Sequence, residues 1–190
     1  RCTASDTSLW MPAPMVSTTQ IPATLPYTED FTGPSNFTFT NGTQPNKWLT
    51  GAAAGNPANG LYISNDNGLN NAYNVSAASI VHAYRDIAIP AGTVNATFSF
   101  DWRSVGQSSS DYMKVWLVPS SYLPVSGTAI PTGAGRIQVG GFYQQQANWQ
   151  TYFSFTQNLS TFANQTMRLV FEWVNNASIG TQTPGAIDNI

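Results

Sequence analysis

The stretch NATFSFDWRSV, residues 95–105, places Phe98, Phe100 and Trp102 on one side and Ser99, Asp101 and Arg103 on the other. That two-residue period belongs to a β-strand with one buried face. A helix would need apolar residues at i, i+3 and i+4, and no window of a dozen residues sustains that pattern. TMRLVFEWV (166–174) repeats the strand pattern, with Met167, Leu169, Phe171 and Trp173 facing inward. DYMKVWLVP (111–119) sets Met113, Val115 and Leu117 against Tyr112, Lys114 and Trp116. Bulk on both faces predicts a strand covered on both sides.

Working outward, NFTFTN (36–41), KWLTG (47–51), GLYIS (60–64), SIVHAYRDIAIP (79–90), GRIQVGGFY (135–143), NWQTYFSF (148–155) and GAIDNI (185–190) add further strands. Gly, Pro, Asn and Ser turns separate them. The spacing predicts an all-β fold, a jelly-roll β-sandwich of two antiparallel sheets. Prolines and glycines make residues 119–135 a long surface loop. Residues 1–20 have strand-like pieces but no partner strands of their own. Residues 21–25 read as a Pro-containing linker, leaving 26–190 as the domain.

Composition narrows the function. Charged residues are 8% of the 190, against about 25% in ordinary soluble chains, so Ser, Thr, Asn, Gln and Gly must cover the surface. Seven Lys and Arg with a net charge of -2 cannot build a phosphate-tracking stripe, which argues against nucleic acid. No apolar run approaches the roughly 18 residues of a spanning helix. The sole cysteine, Cys2, rules out an internal disulfide.

Catalysis has little to draw on. His82 is the only histidine, no G-x-S-x-G elbow exists, and zinc would need more ligands than His82 and Cys2. Asp101, Asp111 and Glu172 could in principle pair as carboxylates. Arg103 near Asp101 and Arg168 near Glu172 predict ion pairs across a sheet surface instead. The expectation is a non-catalytic chain.

Two kinds of binding chemistry remain. Calcium takes six to eight oxygen ligands, and Asp30, Asp66 in SNDNG (64–68) and Asp188 are the candidates, as a structural ion. Asp66 reads equally as an Asn/Asp-Gly turn without metal, and Asp30 and Asp188 as acceptors of backbone N–H groups. For a glycan, aromatic faces matter. GGFYQQQANWQTY (140–152) brings Phe142, Tyr143 and Trp149 close to Gln144, Gln145, Gln146 and Asn148, and the long loop adds Tyr122. Each of these rings can alternatively be core or a loop anchor.

Along residues 26–190, LPYTEDF, NKWLTG, GNPANGLYISNDNG, AYRDIAIPAG, FSFDWRSVG, DYMKVWLVP, TMRLVFEWVNN and AIDNI together resemble the choice-of-anchor J or cleaved-adhesin domains of Bacteroidetes, notably flavobacteria. These are MAM-like jelly rolls of secreted and cell-surface proteins. The resemblance implies an extracellular, non-catalytic adhesion or binding module of a multidomain protein exported by the type IX secretion system. The alternative it leaves is a carbohydrate-binding module tethering an enzyme elsewhere on the chain to polysaccharide. It implies a glycan or surface-protein ligand, other domains and the export machinery as partners. It also implies neighbouring first and last strands that would bring Asp30 to Asp188. Many relatives carry an acid where this chain has Thr32, and their last motif runs on beyond AIDNI. RCTASDTSLWMPAPMVSTTQ (1–20) looks like the final strands of a fibronectin type III domain.

Overall fold

The computed structural model describes residues 20–190. The expected fibronectin-like strands of residues 1–19 lie outside them. Eleven strands and one 3-10 turn make up the described part. They form a jelly-roll β-sandwich. The first sheet runs β1 (Ala23–Thr24), β5 (Ser79–Ala88), β10 (Thr166–Asn175), β7 (Tyr112–Pro119), β8 (Ile137–Tyr143), with β2 (Thr38–Thr40) also on the β5 edge. The second runs β3 (Lys47–Gly51), β4 (Gly60–Ser64), β11 (Ala186–Asp188), β6 (Asn95–Ser104), β9 (Gln146–Asn158). All pairings are antiparallel except the short β1–β5 contact. Segment 21–25 thus contributes a two-residue strand, and Ala23 is buried.

The alternation seen in the sequence builds the core. Phe98, Phe100 and Trp102 from β6 face Met167, Leu169, Phe171 and Trp173 from β10, with Trp48, Leu61, Ile63 and Ile187 beside them. Phe100 meets Phe171 edge to face at 5.7 Å between ring centres. Each large side chain so buried stabilises the fold by about 1.5–3 kcal/mol. β11, only three residues long, lies between β4 and β6 in the second sheet, so the last motif is central rather than peripheral. Past Asp188 the chain turns at Asn189, whose φ is 49°, and Ile190 exchanges two backbone hydrogen bonds with Glu29.

β7 is covered on its inner face throughout and on its outer face at Trp116 and Val118, but not at Tyr112 and Lys114, so its sequence predicts the covering only in part. Inside, Met113, Val115 and Leu117 join the core. Outside, loop residues 120–135 fold back over the first sheet, where Ile130 closes a second cluster with Trp116, Val118 and Val170.

Candidate functional site

The outer face of the first sheet is built by cross-strand neighbours. β10 sets Glu172 opposite His82 of β5 and Lys114 of β7, and sets Arg168 opposite Asp86. Arg168 binds Asp86 with two hydrogen bonds, 2.7 and 3.0 Å. It also donates to the Tyr122 carbonyl and lies 4.0 Å from the Tyr84 ring centre. Glu172 is fully buried. It accepts from the Ile130 N–H at 2.6 Å and from the Trp116 indole at 3.3 Å, and His82 Nε2 lies 3.2 Å away. These bonds pin the long loop.

The ion pairs differ from those expected. Arg168 pairs with Asp86 rather than Glu172, because in an antiparallel ladder the residue directly opposite is closer than the same-strand neighbour. Arg103 does not pair with Asp101: it donates to Asn71 and lies 5.2 Å from the Trp149 ring centre. Asp101 instead accepts from Asn56, Thr151 and Asn189. Asp111 is buried elsewhere, against the Tyr73 hydroxyl and the Asn176 N–H. The three carboxylates thus have separate surroundings and share no hydrogen-bond partner.

Beyond the pinned loop, the β7–β8 edge of the first sheet carries an aromatic shelf. The β7–β8 register shifts between Met113 and Val115, and Gly140 at φ 68° supplies a backbone shape suited to glycine. Alternation from the buried Val139 leaves Phe142 facing outward, 49% exposed, and Tyr143 inward. Phe142 and Tyr112 sit 4.5 Å apart between ring centres at 37°. The Lys114 ammonium lies 5.0 Å from Phe142, 5.4 Å from Tyr112 and 5.7 Å from Trp116. Gln138 stands opposite Trp116, and Arg136 stacks on Tyr122 at 4.5 Å near the other end of β8. The strip from Arg136 to Phe142 spans about 20 Å at strand rise. It can offer apolar ring faces to a sugar, with an ammonium and an amide beside them.

The residues singled out in the sequence do not converge. Tyr122 belongs to this strip. Tyr143 is a core residue, 4% exposed, its hydroxyl bonded to the Val139 carbonyl and its ring edge-on to Phe100 and Trp102. As a ligand contact it is therefore corrected. Trp149 is half-buried on the other sheet's outer face, against Ala54, Tyr62 and Ala186. Tyr112 and Lys114 went unassigned because their exposure depends on where the 120–135 loop stops covering β7. The outward alternation of DYMKVWLVP was the available signal.

The acids divide as well. Asp66 accepts from the Ser64 hydroxyl and from both nitrogens of Asn70, which hold its carboxyl down at about 2. Asp30 accepts twice from Thr32, which likewise lowers it. Asp188, only 1% exposed, is pushed up by burial, and the charges of Asp101 and Asp30 add to this. Its oxygens accept the Asn56 and Asn189 N–H groups, which oppose the rise. Asp30, Asp101 and Asp188 thus share a corner, but each is already held by N–H or O–H donors. Among the described residues no three His, Cys, Asp or Glu are grouped to hold an ion.

No family model matches the chain, nor does any curated protein. Among solved structures it is similar to a family 22 xylan-binding domain, at 17% identity over 86% of this chain and 90% of that one, with a TM-score of 0.49. It is also similar to the K1 cleaved adhesin domain of Lys-gingipain from Porphyromonas gingivalis W83, at 13% identity, 86% and 94% coverage, and TM-score 0.47. A third is the family 11 carbohydrate-binding module from Clostridium thermocellum, in complex with a β-1,3-1,4-mixed-linked tetrasaccharide, at 16% identity, 85% and 92% coverage, and TM-score 0.45. At these scores the strand order described above, not the likeness, carries the fold assignment.

Proposed function

We propose that this chain is a non-catalytic binding module whose ligand is a carbohydrate, held on the Tyr112–Phe142 shelf. The supporting observation is the exposed Phe142 ring set 4.5 Å from Tyr112 with the Lys114 ammonium over both. Sugar C–H faces pack on such rings, and the Gln138 amide can bond hydroxyls. The rigid sheet beneath fixes the geometry, so little ordering cost attends binding. Glycan binding on a cell surface is itself a means of adhesion.

The setting we propose is an extracellular one, as a module of a multidomain Bacteroidetes protein exported by type IX secretion, with a fibronectin type III domain before it. Detection of the protein on the outside of intact cells, lost on deletion of that export system, tests this.

A glycan array followed by titration of the best binder tests the ligand. Phe142→Ala and Tyr112→Ala should each weaken binding about tenfold, since a lost aromatic contact is worth about 1.4 kcal/mol. Trp149→Ala, on the opposite sheet, should leave it unchanged. Equal loss with Trp149→Ala, or none with Phe142→Ala, removes the shelf from the account.

A further inference from the structure

Six of the chain's seven lysines and arginines are among the described residues. Arg168 is tied to Asp86, and Arg85 is buried. Lys47 and Arg103 belong to the second sheet. The other two, Lys114 and Arg136, stand on the outer face of the β7–β8 edge. Trp116 faces Gln138 across these strands, with Lys114 two residues to one side and Arg136 two to the other. That puts the two cations about 13 Å apart along the strip at strand rise.

Each is held by rings rather than by a carboxylate. Lys114 lies over Phe142, Tyr112 and Trp116, and Arg136 over Tyr122. Among the described residues neither makes an ion pair. The Arg136 guanidinium donates to the Pro131 carbonyl at 3.1 Å, with other N–H groups to spare. The nearby acids are turned away. Asp86 is engaged by Arg168, and Glu172 is fully buried against Ile130, Trp116 and His82. Asp111, next to Tyr112, is buried too and accepts from Tyr73 and Asn176. The surface of the strip is therefore locally positive on a chain whose net charge is -2.

Two separated cations interleaved with rings do not track a phosphate backbone, which carries a charge at every nucleotide. They match a polymer whose charges are sparser and whose units have apolar faces. We propose that the shelf selects an anionic glycan, with one sugar packed on Phe142 and Tyr112 and carboxylate or sulfate groups meeting Lys114 and, farther along, Arg136. Gln138 stands between the two cations, where its amide meets the hydroxyls of the intervening sugars. This inference rests on the carbohydrate reading above and narrows it to a charged class.

Calorimetric titration of the whole chain tests it against pairs of oligosaccharides long enough to cover the strip. These are an oligogalacturonate and an oligomannuronate, each beside its carboxyl-reduced neutral form, and a sulfated galactan oligomer beside its desulfated form. At low salt at least one acidic member should bind about tenfold more tightly than its neutral twin, since two exposed charge pairs are each worth about threefold. The gap should close as salt is raised. Whether the carboxylate or the sulfate pairs show the larger gap identifies the acid group. The gap should fall to about threefold in Lys114→Gln and in Arg136→Gln, vanish in the double variant and persist in Lys114→Arg. Equal binding within every pair, or a gap that survives the double variant, would overturn the proposal. So would tighter binding of a thymidine oligonucleotide than of any acidic oligosaccharide. Phe142→Ala separates this inference from the reading beneath it. If that variant weakens binding where no gap exists, the shelf still holds carbohydrate and only the anionic preference falls. If no sugar binds, or Phe142→Ala changes nothing, the carbohydrate reading falls with it.

Discussion

Replacing Glu172 by alanine should release the 120–135 loop while leaving the sandwich folded. The Ile130 N–H and the Trp116 indole N–H would each lose their acceptor inside a buried site, and His82 would lose its partner. A buried donor left unpaired costs about 1–3 kcal/mol. With two such donors the loss is about 4 kcal/mol, out of the roughly 5–15 kcal/mol that holds a domain together. For a domain of this size that is a fall in Tm of about 8–16 °C. Urea unfolding gives the energy, and limited proteolysis locates it. Cleavage within 120–135 should rise before any cut elsewhere, and Glu172→Gln should lie between alanine and wild type because it keeps one acceptor. A loss under about 0.5 kcal/mol, or proteolysis that begins in β6 or β10, would refute the assignment of Glu172 as the loop's anchor.

Gly60→Ala should destabilise the protein by about 2 kcal/mol in urea unfolding, because the new Cβ would meet the backbone oxygens of Ala54 at 2.5 Å and Ile187 at 2.9 Å, neither of which can rotate away. Asp66 should contribute to acid lability: its folded carboxyl titrates near 2 against 3.8 unpaired, so its stabilisation is complete above about pH 4 and is lost as pH falls toward 2. The stability difference between wild type and Asp66→Asn should therefore shrink between pH 5 and about pH 2, and a constant difference would discard the turn as its source. Calcium should leave Tm unchanged relative to chelator, since donors already occupy the Asp188, Asp101 and Asp30 carboxylates. A calcium-dependent rise abolished by Asp188→Ala would place a cation at that corner after all.

The sequence by itself determined the strands. Period-two alternation is a local property, so Phe98, Phe100 and Trp102 announced a buried face, and Met113, Val115 and Leu117 another, while of the outer residues of β7 Trp116 is covered and Tyr112 and Lys114 are not. Only the tertiary structure decided partners. Arg168 and Asp86 are 82 positions apart and meet because the β5–β10 register places them opposite one another, a choice made by the whole ladder. The same holds at the candidate site. Phe142 and Tyr143 are adjacent and face opposite ways by alternation, but the irregular β7–β8 pairing decides that Phe142 lands 4.5 Å from Tyr112. No pattern within GGFYQQQ records that meeting, because it depends on which residue of β7 lies opposite. The shelf and the pinned loop both arise in this way, from pairings between distant strands.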